Sequence, residues 1–266
     1  MSLLAVTREC VAFLLLVAAP AASARAQVVD QPPPHGYVVA LGLSDELNVF
    51  HSEATRAAAI LARHYGRGVA PLVLTTSRAA RAATVEGLRD ALTQTAARMD
   101  REKDVLFVFL TSHGSPDGVE VKAGKRRGLL APAQLASLLR ETNARHKVLI
   151  ISACYSGIFV ALADPQTLVI TAADATHPSF GCERTATWTY FGRAFFSQAM
   201  PKTNNLKDTF MLARSLILAR ERRQGFEPSN PQMRGGDSFL AELPAAPAAC
   251  SGEAETASPP TSCDKR

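Results

Sequence analysis

Two uninterrupted apolar runs limit what this chain can fold into. Val105 to Leu110 is six apolar residues in a row, and Val148 to Ile151 is four. A strand with one face in water alternates apolar and polar residues. A continuous run instead marks a strand covered on both faces, which is the habit of parallel sheets flanked by helices. Tyr37–Leu41, Leu72–Leu74 and Leu168–Ile170 are shorter runs of the same kind. Helical patterns lie between them. Ser52–His64 is Ala-rich. Thr84 is placed to cap a helix with apolar residues at Val85, Leu88, Leu92, Ala96 and Met99. Pro132 suits the first turn of a helix carrying Leu135, Leu138 and Leu139. Trp188–Met200 and Leu206–Arg223 also read as helices, the second ending in Arg220, Arg222 and Arg223 before Gly225. The pattern predicts an α/β fold with a mostly parallel sheet and helices on both faces.

Apolar residues make up 47% of the 266, enough for a sizeable core, which excludes a disordered or fibrous chain. Lys and Arg exceed Asp and Glu by 29 to 24, but the excess forms no single stripe, so nucleic acid is not expected as a partner. Lys122, Lys125, Arg126 and Arg127 crowd one short segment. It reads as a solvated loop, or as a docking patch for an acidic substrate or a membrane surface.

The ends read differently from the middle. Residues 1–26 have the form of a signal peptide: Arg8, the apolar run Val11–Ala19, then Ala24-Arg25-Ala26 as a cleavage pattern, with Gln27 as the expected mature start. The apolar run is too short to span a bilayer, so no stable membrane anchor is expected after cleavage and the mature protein is expected in the periplasm or outside the cell. Residues 27–36 form a Pro-rich linker, 37–240 the folded domain, and 241–266 a flexible tail rich in Ala, Pro and Ser. Four cysteines follow the signal: Cys154, Cys182, Cys250 and Cys263. Cys250 and Cys263 could close a small loop. Cys182 reads as a structural thiol, or as the partner of a tail cysteine.

In parallel sheets ligands bind beyond the carboxyl ends of the strands, so the residues just past each run matter most. Val105–Leu110 is followed by Thr111-Ser112-His113-Gly114-Ser115. Val148–Ile151 is followed by Ser152-Ala153-Cys154-Tyr155-Ser156-Gly157. With one helix between them, the two strands are expected side by side. A histidine and a cysteine then meet at one edge, the layout that thiolate catalysis requires. The N–H groups of Gly114 and Cys154 are candidates to hold an oxyanion. Neither residue is accompanied by C-x-x-C or H-x-x-x-H spacing, so neither metal nor other cofactor is expected.

Ser112-His113-Gly114-Ser115 and Ala153-Cys154-Tyr155-Ser156-Gly157 resemble the paired histidine and cysteine motifs of the legumain family (peptidase family C13), especially its bacterial members. Ala172-Ala173-Asp174-Ala175-Thr176 and Ser179-Phe180-Gly181-Cys182 are similar to later segments of that family. The resemblance spans about Tyr37 to Met233. It implies a caspase-like three-layer α/β sandwich, with His113 as acid/base and Cys154 as nucleophile. It further implies that Asn48 steadies the histidine, and that Phe50 stands where the family places an arginine in its specificity pocket. Glu183 falls in the segment that lines that pocket in the resembling enzymes. Asp174, polar and just past a strand, is a further candidate. Each has a plainer reading: Asn48 as a helix cap or loop residue, Glu183 as a solvated acid, Asp174 as a turn residue. The expected function is an exported cysteine endopeptidase acting on a peptide or protein. The alternatives are a transpeptidase or transamidase using the same dyad, and a non-catalytic binding module.

Overall fold

The computed structural model describes residues 33–76, 83–241 and 243. The expected signal peptide with its cleavage point, residues 27–32 of the expected linker, and the expected tail apart from 241 and 243, with Cys250 and Cys263, lie outside the described residues.

Nine strands and five helices follow one another along the described chain. β1 (Gly36–Gly42), α1 (Asn48–Tyr65), β2 (Leu72–Thr75), α2 (Val85–Ala96) and β3 (Val105–Thr111) come first. β4 (Gly114–Ser115), β5 (Gly118–Ala123) and β6 (Arg126–Leu130) precede α3 (Pro132–Glu141) and β7 (His146–Ser152). A 3-10 turn, Ser156–Leu162, leads to β8 (Thr167–Thr171). α4 begins at Tyr190–Gly192 and continues as a π-helical stretch, Arg193–Ala199. α5 (Leu206–Gln224) and β9 (Gln232–Arg234) complete the order.

Six strands form one sheet in the order β2-β1-β3-β7-β8-β9, parallel except for β9 at the edge. The apolar runs are buried on both faces, and alternate residues belong to opposite layers. Phe107 and Phe109 of β3 pack with α1, α4 and α5, against Ala54, Ala57, Leu61, Phe195, Phe196, Phe210 and Ile217. Leu106, Val108 and Leu110 pack with α2 and α3, against Leu88, Leu92, Leu135 and Leu138. The result is the three-layer sandwich that the continuous runs predict.

The caps follow local chemistry. The Thr84 hydroxyl accepts from the Gly87 N–H at 3.0 Å, and the Asn205 side chain accepts from the Asp208 N–H at 2.8 Å. α5 stops at Gly225, whose φ of 70° suits a residue without Cβ. α1 starts a turn earlier than the sequence pattern suggests. Leu47 at its cap makes no side-chain hydrogen bond, so no capping residue marks the start, whereas Val49 and Phe50 are already buried.

The connection between β3 and β7 holds more than the expected helix. The basic segment read as a loop lies in the hairpin of β5 and β6, part of a three-stranded antiparallel sheet. Val119, Val121 and Leu130 are buried beneath it, and Arg126 to Leu129 face solvent. One-sided burial of so short a hairpin leaves only a weak alternation in the sequence, and the arginines mask it.

Candidate active site

The β3–β7 register builds the site. Thr111 stands opposite Ser152, and the Ser112 N–H donates to the Ser152 carbonyl at 3.2 Å. His113 and Cys154 each come two residues after that matched pair. They therefore leave neighbouring strands at the same level. The main chains touch there: a Cβ at Gly114 would overlap the Cys154 carbonyl oxygen. Only glycine permits this approach.

His113 is held between an apolar wall and two carboxylates. The Phe50 ring, fully buried, meets the imidazole edge-on with centroids 4.9 Å apart. Ligand-capable atoms of Glu46, His113 and Glu120 all lie within 4.8 Å of one another. Both acids already have cationic partners. Lys122 Nζ is 3.0 Å from Glu46, and Arg127 Nε is 3.3 Å from Glu120. The Lys122 ammonium, by hydrogen bond and charge, holds the Glu46 carboxyl below its ordinary range, with His113 and Arg127 adding to the effect. A cavity of about 320 Å³ opens beside the imidazole, between His113 to Ser115 and the Glu120, Arg127 and Leu129 side of the hairpin.

The Cys154 thiol is half-buried and free. The Ser179 N–H points at Sγ from 3.3 Å, and Sγ is 3.4 Å from the Ser179 carbonyl oxygen. No hydrogen bond joins Sγ to the His113 ring among the described residues. Tyr155 follows with φ 55°, a left-handed conformation that costs a non-glycine residue about 1–2 kcal/mol. Its N–H is fixed by the His177 carbonyl at 3.0 Å. A strained residue directly after a candidate nucleophile, held by a loop from the next strand, is characteristic of functional turns.

Beneath the pair lies a buried carboxyl that sequence reasoning passed over. Glu53 of α1 is fully buried. It accepts from the Thr111 hydroxyl and from the Thr189 hydroxyl at 2.6 Å, and Thr189 Oγ1 is 3.1 Å from Ser152 Oγ. It thereby ties the ends of β3 and β7 to the start of α4. Burial raises the Glu53 carboxyl above its ordinary range, although hydrogen bonds from Thr111 and Thr189 work the other way. The spacing carried a signal: Glu53 is four residues from both Val49 and Ala57, on the apolar stripe of α1.

The other sequence candidates fall at different places. Asn48 is exposed in the first turn of α1, and the side chain against His113 is that of Phe50. Glu183 is exposed in the loop before α4. Asp174 is half-buried, 2.7 Å from His177 Nδ1, and it accepts from Asn230 Nδ2 at 3.0 Å. Burial opposes its charge, but hydrogen bonds from Thr176, His177 and Asn230 outweigh that and hold its carboxyl well below the usual range. Ser179, from the Ser179-Phe180-Gly181-Cys182 segment, and His177, which sequence reasoning passed over, take part in the Cys154 surroundings. Cys182 is a free thiol, pushed up to about 12 by burial, with Cys154 and Glu53 adding to the effect.

The layer order and the strand-end histidine and cysteine define a protein of the caspase-like α/β class. Caspase-1 from Spodoptera frugiperda shares this fold at a TM-score of 0.54 and 12% identity, over 76% of this chain and 87% of that one. A pro-sf-caspase-1 structure matches at a TM-score of 0.50 and 12% identity, over 76% and 91%. The chain belongs to the Peptidase C13 family, whose profile matches residues 75–241. No curated protein sequence matches closely enough to count as a relative. Family and fold together support a function of cysteine-peptidase type.

Proposed function

We propose that this protein is an exported cysteine endopeptidase with Cys154 as nucleophile and His113 as acid/base. The observation that carries the reading is the register of β3 on β7, which brings both residues to one level with the Gly114 main chain against Cys154. The Cys154 thiolate attacks the scissile carbonyl carbon, and the carbonyl electrons move onto oxygen. The N–H groups of Gly114 and Cys154 hold that oxyanion. His113 protonates the leaving amine as the C–N bond breaks, leaving a thioester. Water then attacks the thioester, His113 takes its proton, and the carboxylic acid leaves as sulfur departs. If an amine replaces the water, the same acyl-enzyme gives transpeptidation.

The test is covalent labelling of the purified protein with iodoacetamide between pH 5 and 8, located by mass spectrometry, beside His113→Ala. Selective modification of Cys154, slowed by loss of His113, is expected. Modification of Cys154 no faster than a free thiol in both proteins would leave the binding-module reading in its place. Products formed with an added amine acceptor separate hydrolysis from acyl transfer. Export rests on residues 1–26; N-terminal sequencing of protein recovered outside the cytoplasm is expected to begin at Gln27.

A further inference from the structure

We propose that the arginine-lined pocket between α4 and α5 is a binding site for a phosphate group, separate from the peptidase centre. The pocket encloses about 310 Å³, and Arg193, Arg220 and Arg223 line it together with Tyr190 and Gln198. None of the three guanidinium groups has an ion-pair partner among the described residues. The one acid next to them in sequence, Glu221, is buried and turned inward, where its Oε2 accepts from the Ser229 N–H at 3.2 Å.

Charge at the end of α5 has an ordinary explanation, since basic side chains in a last turn offset the helix dipole. That accounts for Arg223. It does not account for Arg193, which comes from another helix and converges on the same hollow. Arg193 opens the π-helical stretch of α4, a geometry frequently found at functional sites. Arg220 is also held in advance. Its guanidinium lies 3.5 Å from the centroid of the Tyr190 ring, and the Tyr190 hydroxyl donates to Gln224 Oε1 at 2.5 Å. A stacked guanidinium loses little freedom when a ligand arrives. Three converging guanidinium groups, with no carboxylate to neutralise them, suit a compact multivalent oxyanion. A phosphate monoester has the charge and the acceptor oxygens for forked contacts.

The experiment is calorimetric titration with inorganic phosphate at fixed ionic strength, with chloride as the control anion. Saturable binding of one phosphate per chain is expected. Arg193→Gln and Arg223→Gln, both at exposed positions, are each expected to weaken it by at least about tenfold, the loss of one charge-assisted contact. Arg214→Gln removes an exposed charge from the same helix outside the pocket and is expected to bind as the unaltered protein does. Co-sedimentation with phosphatidic acid vesicles distinguishes the source: retention that Arg193→Gln abolishes means a lipid headgroup, and none means a soluble phosphate compound. The proposal falls if phosphate does not saturate, or if Arg214→Gln weakens binding as much as Arg193→Gln does. It falls equally if vesicles bind the protein and free phosphate does not, because that is attraction to a charged surface. The titration needs no substrate turnover, so its failure leaves the peptidase proposal untouched.

Discussion

The α-carbon of Gly114 is packed so closely on the Cys154 carbonyl that a methyl group there would overlap the oxygen. This contact sets the histidine loop directly against the cysteine loop. Gly114→Ala is expected to push the loops apart, costing about 1–3 kcal/mol of stability as overpacking does. Cys154 alkylation is expected to fall toward the rate of a free thiol. Chemical denaturation and labelling kinetics on one preparation check both effects. Unchanged labelling with full stability would mean the contact is slack.

Phe50 meets the His113 ring edge-on while lying wholly within the core. Phe50→Ala is expected to destabilise the fold by about 3–5 kcal/mol through the cavity it leaves. Phe50→Leu keeps most of the volume and should fold. Its expected signature is a lower kcat at near-unchanged KM, because the ring that orients His113 is lost and substrate contacts are not. Steady-state kinetics on the leucine variant read this directly.

Stability is expected to depend on pH through Glu53. Its carboxyl is raised by burial above the ordinary value of 4.5, so the folded state holds its proton to higher pH than the unfolded chain does. The stabilisation is therefore complete below that ordinary value and is lost as pH rises through the folded one. Glu53→Gln is expected to flatten this part of the profile and to gain on the unaltered protein as pH rises. Urea midpoints measured from pH 4 to 8 test the sign. Parallel curves would show that Glu53 does not titrate differently in the two states.

Cys182 should be silent to thiol reagents. Burial pushes its thiol up to about 12, so almost no thiolate is present near neutrality. Iodoacetamide up to pH 9 is expected to leave it unmodified in the folded protein and to modify it once the protein is unfolded. Peptide mapping before and after denaturation distinguishes the two. Rapid modification of the folded protein at Cys182 would place it at the surface.

The sequence alone determined the layers and the level of the site. Unbroken runs as short and as rich in Val and Phe as Val105–Leu110 mark strands covered on both faces, and the residues after such strands fall at one edge of a parallel sheet. His113 and Cys154 were legible for that reason. Their local patterns carry the information, since burial of a run is set by its own composition. Tertiary structure decided what surrounds them. Phe50 and Glu53 reach the site from α1, Glu120 from β5, and His177 and Ser179 from the loop after β8, and no short-range pattern records that these three segments will converge. The hairpin of β5 and β6 was hidden because only one side of it is buried. Asn48 and Phe50, two positions apart in α1, show the limit clearly. One faces solvent and the other the imidazole, and only the packing of α1 against β1 and β3 decides which.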